Sequence, residues 1–412
     1  MDLVTSAQYL TLKDSFARQG IDIDVAYTPA GEIDYIYQVD RLLAIDRDNN
    51  VNRMLDALPG SRRADAVEQQ NVGDLDLAVL SIDEAEEGFL TVPEAMNLIN
   101  ERVAENQAEP WCTPVHVVHI TKICPAGEPE VPSGFPTQPW PAPSQAVGGN
   151  SVKIGVSDTG LQPNLDPNQY PWLSNVTGEQ EPLGPTLRSG QRCIRQYEGH
   201  GTFVAGVAKC MAPGATVFVN NHFTQSGGEL EYVITQKLDQ LIQYQEPDVI
   251  CLPAGTYTCN DQPSLAFSEF RERHPNITLV AAAGNESTDR KFYPAAFPWA
   301  VGVGALGADQ QNRAWFSNFG DWVDVYVLGE GMVNAYATGE YTYQEPPKSP
   351  AKQNFDGIAR WDGTSFSAPL VAGLIADEMA RNGTAAAAAA QVLLKKAKTQ
   401  LIPGVGPVLF PL

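Results

Sequence analysis

WDGTSFSAPLVAGLIA, residues 361–376, places hydroxyl-bearing and small residues immediately before an apolar stretch that is typical of a helix. In a structural interpretation, the hydroxyl of Thr364, Ser365 or Ser367 caps free backbone N–H groups at the helix start. Pro369 would then lie in the first turn, where its missing N–H costs nothing. In a chemical interpretation, Ser365 is a nucleophile at a helix N-terminus, where the dipole and exposed N–H groups favour negative charge. The chemical interpretation requires a base, an orienting acid and an oxyanion donor elsewhere in the chain.

Three other segments contain groups of the required kinds. Asp158 ends the predicted strand SVKIGVSD (151–158), and its carboxylate could cap the following turn or accept a hydrogen bond from a histidine Nδ1–H. His200 opens a small-residue helical stretch, either as an ordinary helix-entry histidine or as a rigid and reachable base. Asn285 follows another apolar strand, ITLVAAAG (277–284). It is a turn residue, a glycosylation acceptor or a side chain whose amide N–H donates to an oxyanion.

The four segments together decide between these interpretations. SDTG, GHGTFVAG, AAAGNE and GTSFSAP, in this order, closely resemble the signature segments of the subtilisin-like serine peptidases, the subtilase family. The resemblance covers residues from about 150 to 400. It implies that Asp158 orients His200, that His200 is the general base and acid, and that Ser365 is the nucleophile. It also implies that Asn285 and the backbone N–H of Ser365 form the oxyanion site of an acyl-enzyme mechanism.

The resemblance also locates a substrate cleft, with one departure from the family pattern. Where relatives usually have a Ser-Leu-Gly-like segment, this chain has Pro253, Ala254 and Gly255, of which Gly255 is the firmest match. On the other side of the predicted cleft lie Ala283, Gly284 and Glu286. Glu286 matches a position that often borders the primary specificity pocket, so it either favours a basic or polar P1 residue or faces solvent. No cofactor and no required metal are predicted, because LDPNQ (165–169) is too short to indicate a calcium loop.

The bulk composition limits the possible partners. The 412 residues contain 27 Lys plus Arg and 49 Asp plus Glu, which gives a formal net charge of −22. Nucleic acid and anionic membranes require a basic surface, so neither is expected as a partner. The N-terminus lacks the pattern of a secretory signal, and no apolar run reaches about eighteen residues. We therefore expect a cytoplasmic protein whose six cysteines, which lack paired C-x-x-C spacing, are reduced.

The chain divides into three zones: an N-terminal domain (1–121), a Pro- and Gly-rich linker (122–149) and a catalytic domain (150–412). The first zone shows a β-α-β-β-α-β order, which is typical of a small α+β ferredoxin-like unit. Its predicted strands and helices, in chain order, are RLLAID (41–46), VNRMLDALPG (51–60), LDLAVLSID (75–83), GFLTV (88–92), PEAMNLINERVAEN (93–106) and PVHVVHI (114–120).

The third zone alternates short apolar strands with helical segments, which predicts an α/β fold with a parallel sheet between layers of helices. Reactive groups in such sheets gather at the carboxyl ends of the strands. The predicted strands are SVKIGVSD (151–158), ATVFVNNH (215–222), DVICLPA (248–254), ITLVAAAG (277–284) and AVGVGA (300–305), and TAAAAAAQVLLKKAK (384–398) is a terminal helix.

Subtilases often carry an N-terminal inhibitory pro-domain of ferredoxin-like order, and residues 35–121 are similar in layout. The resemblance implies a zymogen whose first zone is an intramolecular chaperone and inhibitor, cut between about 122 and 150. Its last strand would lead an extended linker through the cleft. The alternative is a fixed accessory domain that is never removed.

The function predicted from the sequence is a serine endopeptidase that acts on proteins or peptides in intracellular processing or regulation. One alternative is a transpeptidase or macrocyclase on the same fold, with QEPPKSPAKQNFDG (344–357) as the only candidate lid. The other is a catalytically silent module that binds peptide strands.

Overall fold

The computed structural model describes residues 7–57, 62–63, 75–82, 91–106, 112–120, 127–134, 137–145, 152–188, 190–224 and 226–410. The first elements are α1 (Ala7–Ala17), β1 (Ile23–Tyr27), β2 (Ile33–Ile45), α2 (Asn50–Ala57), β3 (Arg62–Arg63), β4 (Leu77–Ser81), α3 (Val92–Asn106) and β5 (Cys112–Ile120).

From β2 onward the N-terminal region has the predicted β-α-β-β-α-β order. Its strands lie side by side as β5-β2-β4-β3, and every neighbouring pair is antiparallel. The helix α1 and the strand β1, which pairs with β2, are additions before this unit. The ferredoxin-like layout is therefore confirmed, although two of its elements differ from the prediction.

The predicted strand GFLTV (88–92) is wrong where the structure describes it. Val92 begins α3, and Thr91 and Glu94 form a reciprocal capping pair in which the Thr91 N–H donates to Glu94 Oε2 at 2.8 Å. Residues 88–90 lie outside the described part of the chain. The second strand of the unit is instead the two-residue β3, and LDLAVLSID contains the third, β4.

The catalytic region contributes two layers of helices and a long hairpin. Its elements are β6 (Lys153–Asp158), β7 (Val176–Gly178), β8 (Cys193–Ile194), α4 (His200–Met211), β9 (Thr216–Asn221), β10 (Gly228–Leu230), α5 (Glu231–Gln245), β11 (Val249–Leu252), β12 (Ala254–Gly255), α6 (Leu265–Arg273), β13 (Thr278–Ala282), β14 (Val301–Leu306), β15 (Val325–Leu328), β16 (Met332–Thr342), β17 (Lys352–Trp361), α7 (Thr364–Asn382), α8 (Ala386–Ala397), β18 (Leu401–Ile402) and β19 (Gly406–Pro407).

The central sheet has seven strands in the order β15-β14-β13-β11-β6-β9-β7, and all its neighbouring pairs are parallel. Alternate residues of β11 face opposite sides. Val249 and Cys251 join the apolar cluster of α4, α7 and α8, whereas Ile250 and Leu252 join the cluster of α5 and α6. The predicted parallel sheet between helical layers is confirmed. Among the described residues, no helix is long and apolar enough to span a membrane.

A continuous sheet joins the two regions. Strand β5 of the N-terminal region pairs antiparallel with β10 along one edge and with β12 along the opposite edge. The described part of the linker also packs on the catalytic region. Glu130 pairs with Arg360 of β17, and Trp140 pairs with Val333 of β16.

Candidate active site

Asp158 and His200 meet at the carboxyl edge of the central sheet. Asp158 is the last residue of β6, and His200 is the first residue of α4. Both carboxylate oxygens lie close to Nδ1 of the imidazole, at 2.8 and 2.9 Å, and both side chains are buried. A carboxylate accepts hydrogen bonds, so Nδ1 carries the proton and Nε2 is left as the basic nitrogen.

Close backbone packing fixes the start of α4 against the turn after β6. A Cβ atom at Gly201 would lie 2.3 Å from the carbonyl oxygen of Gly160. Only a glycine therefore permits this approach, which brings the imidazole to the end of β6. This close contact explains the glycine that follows His200 in the Gly-His-Gly pattern.

Ser365 lies in the first turn of α7 and is 2% exposed. Its hydroxyl donates to the carbonyl oxygen of Pro253 at 3.2 Å. The ring of the next residue, Phe366, has its centroid 5.3 Å from that of His200. The first turns of α4 and α7 therefore place the imidazole and the hydroxyl in the same part of the cleft.

The structural interpretation of the helix start is wrong in two details. Helix α7 begins at Thr364 with Gly363 as the N-cap residue, which makes no side-chain cap hydrogen bond. The Thr364 hydroxyl instead donates to Asn285 Oδ1 and accepts from the backbone N–H of Gly284. Because the helix begins five residues before Pro369, this proline lies in the second turn rather than the first.

The Asn285 side chain links the segment after β13 to the start of α7 through hydrogen bonds. Its Oδ1 accepts hydrogen bonds from the backbone N–H and the hydroxyl of Thr364, at 3.0 and 2.8 Å. With the oxygen held there, the amide nitrogen lies beside Gly363, where an added Cβ would be 3.4 Å from it. The Asn285 amide nitrogen therefore lies beside the residue that precedes the first turn of α7, the turn that contains Ser365.

The predicted cleft residues lie on two segments, one at β12 and one directly after β13. On one side, Ala254 and Gly255 are the two residues of β12, which pairs with Ile120 and His119 of β5. An added Cβ at Gly255 would lie 2.5 Å from the ring of Phe292, so this wall has no room for a side chain. On the other side, Ala283 and Gly284 continue from β13 to Asn285.

Two residues that the sequence did not indicate, Tyr257 and Asn318, hold the carboxylate of Glu286, so this carboxylate does not extend into solvent. The hydroxyl of Tyr257 donates to Glu286 Oε2 at 2.8 Å, and the amide of Asn318 donates to the Tyr257 oxygen at 2.9 Å. Burial raises the pKa of Tyr257 well above its ordinary value, with the Glu286 charge as a further cause. No motif marks Tyr257 or Asn318, because their partners lie 29 and 61 positions away.

Strand β5 lies between β10 and β12 as an extended segment. The N–H of Ile120 donates to the carbonyl of Gly227 at 2.8 Å, and His119 pairs with Gly255 on the opposite edge. Val118 and Ile120 are at most 1% exposed and join an apolar cluster of the catalytic region. The side chain of Gln8 in α1 donates to the Ile120 carbonyl at 3.1 Å.

Polar contacts hold the N-terminal region on the catalytic region. Arg290 Nη2 lies 2.6 Å from a carboxylate oxygen of Asp34 in β2. His116 of β5 is fully buried, with Nδ1 2.7 Å from Glu231 Oε1. These contacts join β2 and β5 to Arg290 and Glu231 of the catalytic region.

Glu181 is a further buried acid that the sequence did not indicate. Both its carboxylate oxygens accept from the backbone N–H of Gly199, at 3.0 Å each, and Gln162 donates to it at 2.9 Å. Burial raises the pKa of Glu181 to about 8, and the nearby charges of Glu198 and Asp158 act in the same direction. Glu181 therefore contacts the residue that precedes His200.

The fold and the groups at the carboxyl edge of its sheet define a subtilisin-like α/β protein, and comparisons with known proteins identify the family. Residues 149–407 match the Subtilase family. This chain belongs to the subtilase family and is a subtilisin-like peptide hydrolase, whose substrates are proteins or peptides.

Two relatives and one solved structure illustrate the similarity. The intracellular serine protease of Paenibacillus polymyxa is 26% identical over 264 residues, which are 60% of this chain and 72% of the relative. The M-protease of Shouchella clausii (strain KSM-K16) is 27% identical over 327 residues, 75% of this chain and 76% of the relative. The crystal structure of fervidolysin from Fervidobacterium pennivorans, a keratinolytic enzyme related to subtilisin, matches with a TM-score of 0.56 and 16% identity. That match covers 91% of this chain and 60% of fervidolysin, and it supports the fold alone.

Proposed function

We propose that this chain is a serine endopeptidase in which Asp158, His200 and Ser365 form the catalytic triad. The observation that carries the proposal is the contact of both Asp158 oxygens with Nδ1 of His200, since it leaves Nε2 as the base. His200 removes the hydroxyl proton as Ser365 Oγ attacks the peptide carbonyl, and it then protonates the leaving amine. Water then attacks the acyl-enzyme. His200 accepts a proton from this water and returns a proton to Ser365 Oγ as the acid product leaves.

The oxyanion of each tetrahedral intermediate lies, in this proposal, between the Asn285 amide and the backbone N–H of Ser365. The Asn285 side-chain oxygen already accepts hydrogen bonds from Thr364, so the amide group does not need to change its orientation as charge develops on the substrate oxygen. Pro253, Ala254 and Gly255 bind the substrate backbone along one edge. Ala283, Gly284 and Glu286 form the opposite wall.

We further propose that the N-terminal region, residues 1–121, is an intramolecular inhibitor and chaperone of the catalytic domain, residues 150–412. The antiparallel pairing of β5 with β10 and β12 supports this role, because an extended substrate would add to the same edges. A cut after β5 would turn the zymogen into the active enzyme.

A cytoplasmic role in processing or regulation is the corresponding cellular proposal. It is supported by the similarity to a relative named as an intracellular serine protease and by five cysteines that remain free thiols, Cys112, Cys193, Cys210, Cys251 and Cys259. Reduced thiols are typical of a cytosolic environment.

The decisive experiment compares wild-type protein with Ser365→Ala on proteome-derived peptides, with cleavage products identified by mass spectrometry. We expect products from the wild type alone, with water-derived carboxyl termini that persist when a free amine is added. Products that carry the amine would indicate the transpeptidase alternative. Identical product patterns from both proteins would contradict the proposal.

Residues 344–357, the candidate lid of the transpeptidase alternative, belong to the β16–β17 hairpin. Residues 344–351 connect β16 to β17, and residues 352–357 belong to β17. This segment is thus part of the hairpin.

A further inference from the structure

The linker segment 127–130 is built into the catalytic region. Glu130 exchanges both backbone hydrogen bonds with Arg360 of β17, at 2.8 and 2.7 Å. The side chain of Glu128 is fully buried, and it accepts hydrogen bonds from the Tyr341 hydroxyl and from two backbone N–H groups after β16. The Glu130 carboxylate also contacts Lys348 and Arg360. One isolated β-bridge at Glu130 and the side-chain contacts of Glu128 and Glu130 therefore hold residues 127–130 against the hairpin.

This segment holds the indole of Trp361, the last residue of β17. Trp361 is 3% exposed, and its Nε1–H donates to the carbonyl oxygen of Gly127. A buried indole N–H needs a hydrogen-bond acceptor, because leaving it unpaired costs the full desolvation penalty. The Gly127 carbonyl thus fixes the position and the tilt of the ring.

The same indole packs directly against the proposed base. The rings of Trp361 and His200 are nearly perpendicular, at 89°, with centroids 5.3 Å apart. On the other side, Trp361 lies 5.2 Å from the ring of Phe366, the residue that follows Ser365. Phe203 of α4 completes the cluster, 4.5 Å from Phe366. A change in the tilt of Trp361 would therefore move the imidazole relative to the serine.

We propose that Trp361 is a positioning residue for the His200 imidazole and that the carbonyl of Gly127 holds Trp361 in place. This inference rests on the proposed function. It has a consequence for maturation: the active enzyme retains residues 127–130, so any activating cut lies before Gly127. This narrows the interval between 122 and 150 that the sequence indicates.

The test compares Trp361→Phe with a matched control, Trp172→Phe. Trp172 is also buried, at 7% exposed, and its Nε1–H donates to Asn334 at 3.0 Å, but its described ring contact is with Tyr170. Both variants lose one buried indole hydrogen bond. We expect kcat to fall by about 10- to 100-fold in Trp361→Phe alone, with KM within about twofold, because misplaced catalytic groups cost rate of this order. The acid limb of the kcat/KM pH profile should also move only in Trp361→Phe.

Equal kcat values and superimposable pH profiles for Trp361→Phe and the wild type would overturn the inference. If the wild type shows no hydrolysis that depends on Ser365, the proposed function fails instead. Glu130→Ala keeps the indole and loosens the segment, so it covers the case in which Trp361→Phe does not fold. Its control is Lys352→Ala, which breaks an exposed ion pair with Glu340 on the same hairpin. A kcat that is lower in Glu130→Ala than in Lys352→Ala supports the proposal, and equal values overturn it.

N-terminal sequencing of the active species tests the consequence for maturation. We expect an N-terminus before residue 127, whether or not the N-terminal region has been removed. A fully active species that begins after residue 130 would contradict the role of the segment.

Discussion

In the proposed mechanism, the side chain of Asn285 is held ready for a charge that exists only during reaction. Its oxygen is held by two hydrogen bonds from Thr364, and its nitrogen lies beside Gly363 at the start of α7. In Asn285→Ala we expect kcat to fall by about 10²- to 10³-fold with little change in KM, because the lost donor acts mainly on the oxyanion. Steady-state kinetics on a peptide cut by the wild type measure this, and an unchanged kcat would remove Asn285 from the mechanism.

Glu181 predicts a pH dependence of stability. In the folded chain it keeps its proton up to about pH 8, whereas the unfolded side chain loses the proton near pH 4.5. The folded state therefore binds the extra proton, and this stabilisation is present below pH 4.5 and is lost as the pH rises through about 8. Glu181→Gln cannot ionise and should escape the loss.

The measurement is thermal unfolding in the Ser365→Ala background, which prevents self-digestion. We expect the Tm of the protein with Glu181, relative to the Glu181→Gln variant, to fall between pH 5 and pH 8. A Tm difference that is constant over this range would show that Glu181 is ionised throughout.

At the scale of single elements, β5 combines antiparallel pairing with β10 and β12 with two buried aliphatic side chains, Val118 and Ile120, and we propose that it binds as a substrate would. A synthetic peptide of residues 112–121 should therefore inhibit the activated enzyme competitively. The matched peptide with Val118→Asp and Ile120→Asp should be at least about tenfold weaker, because burying an unpaired carboxylate is costly. Equal inhibition by the two peptides would show that β5 does not bind through this face.

The sequence predicts elements well where the periodicity is strong and poorly where pairing partners decide. The apolar strands that form β6, β9, β11, β13 and β14 are evident from composition, as are the helices α2, α3 and α8. By contrast, Arg62–Arg63 forms a strand only because β4 lies beside it. The Thr-x-x-Glu pattern of Thr91 and Glu94 is visible in the sequence, and it favours a helix start over the strand GFLTV.

The candidate site divides in the same way. Asp158, His200, Asn285 and Ser365 each lie in a short motif at the end of an element, so local sequence marks them. Trp361 and Glu181 have no such mark, because their partners lie 234 and 18 positions away. Contacts of that kind depend on the folded chain.

At the scale of the whole molecule, the N-terminal region is bound to the catalytic region by the shared sheet and by ion pairs such as Arg290 with Asp34. Incubation under active conditions should therefore convert the wild-type chain to a species that lacks the N-terminal region, while Ser365→Ala keeps its full mass. Intact-mass spectrometry measures both. A single species of full mass from an active wild type would favour the fixed accessory domain.

In the proposed mechanism, Ser365 is a nucleophile activated by His200 and Asp158. A fluorophosphonate probe reacts with such a serine, and peptide mass spectrometry locates the adduct. The probe is applied to the wild type, to Ser365→Ala, to His200→Ala and to a Val118→Asp, Ile120→Asp variant in which β5 is weakened. We predict one adduct, on Ser365, which forms fastest in the β5 variant and is lost in the other two variants. An adduct on another residue, or no adduct in either the wild type or the β5 variant, would contradict the claim.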